Sequence, residues 1–115
     1  MSFEYRIEDN IVIFLLKNGK TNAITLEALE GLRHIIDRLN NETDLKGMVI
    51  SGTGKYFSSG FDLDTFTSFA NNQAIIDWFK VEEEALYQLF TCSKPVVAAV
   101  NGTATAAGMI VSMAC

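Results

Sequence analysis

Short glycine-containing loops that each follow an apolar run are the segments of this sequence best suited to chemistry. The loop GTGK at 52–55 follows an apolar run at 47–51, and such loops can hold a phosphate through backbone N–H groups and a lysine. A Walker A loop requires a glycine where Val49 stands and a serine or threonine where Tyr56 stands. A dinucleotide-binding turn requires its third glycine nearer than Gly60. The spacing therefore argues against nucleotide hydrolysis and hydride transfer.

The composition indicates one small globular domain and excludes several kinds of partner. The chain has 115 residues, of which 49% are hydrophobic and 20% charged, with a net charge of -5. This acidic balance gives no attraction to nucleic acid or anionic lipid, so we expect neither as a partner. The N-terminus does not resemble a targeting peptide, and the apolar runs are too short to span a bilayer. We therefore expect a cytoplasmic protein, with Cys92 and Cys115 as reduced thiols.

Apolar periodicity divides the chain into alternating strands and helices. Apolar residues before and after Asp9-Asn10 predict a β-hairpin, and the runs at 47–51 and 96–100 predict two buried strands. Helical spacing predicts one helix starting after Thr25 and ending near Asn41, a second over 73–90 and the start of a third near 106. The second is expected to bury one apolar side and to expose its acids at 82–84; that apolar side comprises Ile76, Phe79, Leu86, Leu89 and Phe90. The alternation predicts an α/β fold.

Three motifs carry a resemblance to a known family. The segment FSSGFDL at 57–63 is similar to the F-[SCA]-[SA]-G-x-D-[LIF] loop of the crotonase, or enoyl-CoA hydratase/isomerase, superfamily. KPVVAAVNGTA at 94–104, with TAAG at 105–108, resembles the family's second loop, and NAI at 22–24 resembles its N-A-[LIF]. The resemblance covers essentially the whole chain, although family members are more than twice as long. It implies crotonase-like repeated ββα units arranged in a spiral, with residues 1–115 as the N-terminal part of a single domain.

The resemblance also implies a substrate and a site. The substrate would be a coenzyme A thioester, with no tightly bound cofactor and no metal. Backbone N–H groups of Ser59 and Ala107 would form an oxyanion hole for the thioester oxygen. Ala107 replaces the usual glycine, and its methyl group could narrow the pocket or forbid a positive φ. The residues carried over as ligand-binding are Asn22, Ala23, Ser58, Gly60, Phe61, Asp62 and Leu63, although Asp62 is also well placed to cap the following helix.

Ile110 distinguishes among the reactions of the superfamily. It stands where the hydratases carry a catalytic glutamate, and an aliphatic side chain neither orients water nor takes its proton. We therefore expect an enoyl-CoA isomerase whose carboxylate lies outside this sequence, with residues 1–115 inactive alone. The alternatives are an enoyl-CoA hydratase, which is a lyase, and a non-catalytic protein that binds CoA thioesters. The family also implies a homotrimer or hexamer. The aromatic residues Phe66, Phe69, Trp78 and Phe79 fit either an acyl pocket or the ordinary core.

Overall fold

Three consecutive ββα units make up the computed structural model, which describes all residues from 1 to 115. The first unit contains β1 (Phe3–Glu8), β2 (Ile11–Leu16) and α1 (Leu26–Asn41). The second contains β3 (Gly47–Gly52), β4 (Tyr56–Ser58), the short α2 (Leu63–Thr67) and the long α3 (Asn72–Phe90). The third contains β5 (Val96–Ala99), β6 (Thr103–Ala104) and α4 (Ala107–Ala114). The predicted α/β class and the repeated ββα unit are thus confirmed.

Two sheets organise these units. The first has the strand order β1-β2-β3-β5, in which β1 and β2 form the predicted antiparallel hairpin and the other neighbours are parallel. Asp9 and Asn10 make its two-residue turn with φ of 49° and 66°, the left-handed conformation that such tight hairpins need. The second sheet is the parallel pair β4-β6. This small sheet brings together the two loops that follow β4 and β6.

The core lies between the larger sheet and α1. Val12, Phe14 and Leu16 alternate along β2 and are buried, as the two-residue period of a strand requires. The buried residues of α1 are spaced at helical intervals; they are Ala28, Leu29, Leu32, Ile35, Ile36 and Leu39. The Thr25 side chain accepts a hydrogen bond from the Ala28 N–H, which confirms the predicted start of the helix. None of the helices is both long and apolar enough to cross a lipid bilayer.

The structure corrects the buried side of α3. Trp78, Ala85 and Leu89 are its buried residues, whereas Ile76, Phe79 and Phe90 are exposed. The predicted apolar side was therefore wrong at those three positions. The short strands β4 and β6 were also not predicted, because elements of two or three residues carry too few positions to show a period.

Candidate active site

The β4-β6 pair brings the two motif loops to one edge of a sheet. Tyr56 pairs with Thr103 and Ser58 with Ala104, in parallel register. Beyond the strands, the Thr105 N–H donates to the Ser58 carbonyl oxygen at 3.1 Å. Because the carboxyl ends of parallel strands lie at the same edge, the segments 58–61 and 105–108 run side by side. The two motif loops are therefore adjacent in the fold.

Glycines allow the two loops to touch. A Cβ atom on Gly60 would lie 3.3 Å from the Ala107 nitrogen, and a Cβ on Gly108 would collide with the carbonyl oxygen of Ser58. Gly60 also has a φ of 113°, which an L side chain rarely adopts. Larger side chains at these two positions would push the loops apart.

The backbone of Ser59 does not take the role predicted for it. Its N–H donates to the Thr21 carbonyl oxygen at 2.9 Å, so it holds the loop to the segment before α1. A donor engaged within the protein is not free to bind a substrate oxygen. The prediction of Ser59 as an oxyanion donor is therefore contradicted by this hydrogen bond.

Phe61 supplies the free donor of this loop. The Gly60 carbonyl accepts from the Ile24 N–H at 2.7 Å, and the Asp62 N–H donates to the Ile24 carbonyl at 3.0 Å. These two bonds form a parallel bridge between Ile24 and Phe61, in which the bridging residue directs its own N–H to the opposite side. No acceptor lies within hydrogen-bond distance of the Phe61 N–H. The bridge thus fixes the direction of an unused donor.

Ala107 carries the second unused N–H group. It is the first residue of α4, where helix geometry leaves the N–H without an intrahelical acceptor. The neighbouring Gly108 N–H donates to the Thr105 carbonyl at 2.9 Å, whereas the Ala107 N–H has no acceptor. The helix dipole adds partial positive charge at this end. The unused N–H groups of Phe61 and Ala107 belong to the two touching loops, an arrangement suited to an oxyanion.

The residue with a strained backbone is Ala106, one position before Ala107, where a positive φ was considered in the sequence analysis. Ala106, the residue before α4, has φ 50° and ψ −126°, whereas Ala107 is not among the residues with positive φ. A non-glycine residue in such a conformation costs about 1–3 kcal/mol. The concern that the Ala107 methyl group forbids a positive φ therefore does not apply, because the strained alanine is Ala106.

Asn22 and Ser58 hold the site together and have no free polar atom for a ligand. Asn22 is 0% exposed, and its side-chain nitrogen donates to the carbonyl oxygens of Thr53 and Tyr56, each at 2.8 Å. The Ser58 hydroxyl donates to the Asn22 carbonyl at 2.7 Å and accepts from the Gly60 N–H at 3.1 Å. Both side chains were predicted to bind the ligand, and their burial contradicts that role. Their hydrogen bonds instead connect the first and second ββα units.

The other predicted ligand-binding residues differ in exposure. Leu63 is 76% exposed at the start of α2, and Ala23 is half-buried, with its carbonyl accepting from the Asn18 side chain. The Asp62 carboxylate accepts from the Asp64 N–H at 3.3 Å, which confirms its capping role. Of these residues, Leu63 leaves the most surface open to a ligand.

An aromatic cluster packs behind the Phe61 donor. The Trp78 ring lies 5.0 Å from that of Phe61 and 5.1 Å from those of Phe66 and Phe79, all edge to face. An adjoining cavity of about 370 Å³ is lined by Leu26, Phe69, Ala74, Asp77, Trp78 and Val81. Trp78 is 6% exposed, and its indole N–H has no hydrogen-bond partner. The cluster joins the loop to α2 and α3.

The fold and the paired donors define a class of protein, and the comparisons with known proteins agree. Repeated ββα units, with an unused backbone N–H group on each of two touching loops, are characteristic of a crotonase-type protein. Residues 6–115 match the family model described as Enoyl-CoA hydratase/isomerase. The chain belongs to that family.

Individual relatives show the same likeness over part of their length. A probable enoyl-CoA hydratase of Bacillus subtilis is 26% identical over 95% of this chain and 42% of its own length. The mitochondrial enoyl-CoA hydratase domain-containing protein 3 of Rattus norvegicus is 35% identical, over 96% of this chain and 37% of its own. The solved structure of Pseudomonas aeruginosa DspI has a TM-score of 0.90 at 26% identity, covering 99% of this chain and 44% of that chain. The chain thus spans less than half of the length of these proteins.

Proposed function

We propose that this protein acts on acyl-CoA thioesters as an enoyl-CoA isomerase, moving a carbon–carbon double bond through a dienolate. The observation that carries the proposal is the pair of unused backbone donors at Phe61 and Ala107. Membership of the enoyl-CoA hydratase/isomerase family supports the acyl-CoA substrate class. The substrate enters and leaves with its CoA group, and the proposal needs no tightly bound cofactor.

The two donors suit the charge that this reaction develops. Removal of a proton from C2 of a 3-enoyl thioester spreads negative charge onto the thioester oxygen. Two fixed N–H groups stabilise that charge more than they stabilise the neutral carbonyl, and loss of one such donor typically costs about 3 kcal/mol of transition-state stabilisation. Neither donor needs to reorganise when the charge forms, because the Ile24–Phe61 bridge and the start of α4 already fix them.

The composition of α4 favours isomerisation over hydration. Ile110 is 50% exposed on the surface of α4. The helix has the sequence AGMIVSMA and carries no carboxylate. Hydration requires a water molecule that is held and deprotonated, usually by carboxylates. An isomerase needs only one group that takes a proton from C2 and returns it at C4. An aliphatic residue at position 110 is compatible with that requirement.

Separate assays with two substrates test the proposal. The protein produced from its full gene is given a 3-enoyl-CoA and a 2-enoyl-CoA, and products are identified by chromatography. We expect the 3-enoyl-CoA to become the 2-enoyl isomer, with little 3-hydroxyacyl-CoA from either substrate. Hydration of the 2-enoyl-CoA without isomerisation of the other substrate would show a hydratase instead. Calorimetric binding of both thioesters without turnover would show a non-catalytic thioester-binding protein.

Two further expectations belong to the same proposal. Residues 1–115 alone should be inactive, because they span less than half of the length of the family members that they match; turnover by this segment alone would contradict that. A homotrimer or hexamer is the proposed assembly, and light scattering on the purified protein measures it.

A further inference from the structure

Glu82 occupies an unusual position on α3. The buried residues Trp78, Ala85 and Leu89 recur at helical spacing, and Glu82 is four residues after Trp78 and three before Ala85. It therefore lies beside the buried side of the helix rather than opposite it. Glu83, the next residue, is exposed, whereas Glu82 is half-buried. The expectation that the acids at 82–84 face solvent holds fully for Glu83 and Glu84 and only in part for Glu82.

Contacts on either side of α3 show which way Glu82 faces. The side towards α1 is marked by Glu84 and Gln88, whose side chains bond to Arg33 at 2.9 and 3.3 Å. The side towards α2 is marked by Phe79, whose ring stacks on Phe66 at 6.1 Å. Glu82 is three residues after Phe79, so it belongs to the α2 side.

The turn of α3 that precedes Glu82 packs against the Phe61 loop. Helical side chains point towards the N-terminus of their helix, so the Glu82 carboxylate is carried back over the turn that contains Trp78 and Phe79. Trp78 packs against the Phe61 ring at 5.0 Å. Helix α3 also packs against α4, whose first residue is the second donor, Ala107.

The half-buried Glu82 has no hydrogen-bond or ion-pair partner for its carboxylate within the protein. No ion pair or hydrogen bond involves its carboxylate, while Glu84 and Glu42 each pair with an arginine. Burial, together with the nearby Glu83 carboxylate, raises the pKa of Glu82. The Trp78 indole N–H, four residues earlier on the same side, is a fully buried polar group without a partner. An unpartnered carboxylate with a raised pKa beside such a group is a candidate for a functional site.

We propose that Glu82 is the base of this site, which takes the C2 proton of the acyl thioester and returns it at C4. This inference rests on the proposed isomerase function, and it places inside the chain a carboxylate that the sequence placed outside it. The C2–H bond breaks, its electron pair forms the enolate double bond, and Glu82 holds the proton. Reprotonation at C4 then breaks the C3–C4 double bond, leaves a C2–C3 double bond and restores the thioester carbonyl. No oxidant, reductant or water is consumed.

Isotope exchange separates the base from the rest of the site. A 3-enoyl-CoA is incubated with the protein from the full gene in D2O, and proton NMR follows both C2 exchange and isomerisation. We expect Glu82→Gln to lower both rates at least 100-fold while thioester affinity stays within about threefold. Glu83→Gln, the exposed neighbour, is the matched control and should retain wild-type rates. Exchange by Glu82→Gln within fivefold of wild type would overturn the inference while leaving the isomerase function intact.

A second measurement, which requires no turnover, tests whether Glu82 lies in the site. Carbon-13 NMR of the glutamate carboxyl groups should show the Glu82 resonance moving when a saturated acyl-CoA is added, but not when coenzyme A alone is added. Glu83 and the α2 carboxylate Asp64 are the neighbouring acids to resolve, since α4 carries no charged side chain and Arg33 faces the other side of α3. If the wild-type protein catalyses neither C2 exchange nor isomerisation, the proposed isomerase function fails. A Glu82 resonance indifferent to the acyl group would contradict its place in the site.

Discussion

Ala106 shows how a single methyl group stores strain beside a binding site. Its φ of 50° is unfavourable for alanine and accessible to glycine. Replacing Ala106 with Gly should therefore stabilise the protein by about 1 kcal/mol, after allowing for the greater freedom of the unfolded chain. Ala107→Gly is the control, since that residue has no positive φ and should gain nothing. Thermal unfolding followed by circular dichroism measures both variants, and a lower midpoint for Ala106→Gly would contradict this account.

The Asn22 side chain acts by hydrogen bonding to the backbone of other residues. Asn22→Ala would remove the side-chain donor to the Thr53 carbonyl oxygen and one of the two side-chain donors to the Tyr56 carbonyl oxygen, the other being Asn101. Each lost partner costs about 1–3 kcal/mol, so we expect a destabilisation of about 3 kcal/mol in urea unfolding. The exposed Asn41, which donates to a single carbonyl, offers the comparison: Asn41→Ala should change stability little. Equal effects at the two sites would show that the buried network is not responsible.

Glu82 should also leave a signature in stability against pH. Its pKa is raised in the folded state by burial, so the folded protein binds the proton more tightly than the unfolded chain does. Stability from this group is therefore present at low pH and is lost as pH rises through the folded pKa. Glu82→Gln should raise the unfolding midpoint at pH 7 and lose that advantage near pH 4. A pH-independent difference between variant and wild type would argue against a raised pKa of Glu82 in the folded protein.

At the scale of an element, Trp78 fixes α3 against the Phe61 loop. Trp78→Ala would leave a large cavity, with a cost of about 3–5 kcal/mol. Trp78→Phe keeps most of the apolar contact and removes an indole N–H that has no partner, so its cost should be much smaller. Urea unfolding distinguishes the two variants. A phenylalanine variant as unstable as the alanine variant would show that the indole N–H has an acceptor after all.

The elements also show where sequence periodicity succeeds and fails. Helix α1 is amphipathic over 16 residues and begins at a capping threonine, so both its side and its start were predictable. Helix α3 was assigned almost to its true ends and Leu89 to its buried side, but three other apolar residues were wrongly assigned to that side. Ile76, Phe79 and Phe90 are apolar yet exposed, and a pattern of residue types alone cannot distinguish them from Trp78, Ala85 and Leu89.

For the whole molecule, the motifs predicted that two distant loops meet, and the parallel pairing of β4 with β6 produces that meeting. They did not predict which N–H stays free, because that depends on partners far along the chain. The Thr21 carbonyl accepts the hydrogen bond of the Ser59 N–H, and the bridge to Ile24 directs the Phe61 N–H away from Ile24. Hydrogen bonds between segments some 38 residues apart, 21 to 59, leave no local signal in the sequence.

Because the two groups that would bind the substrate oxygen are peptide N–H groups, every residue except proline supplies them. A change of side chain at position 61 or 107 therefore leaves the N–H group itself in place, and an alanine scan removes neither donor. Only a substitution of the backbone itself removes these N–H groups, for example an ester in place of the peptide bond before either residue, introduced by semisynthesis. Loss of turnover in those esters, with the fold intact, would locate the site in the main chain itself.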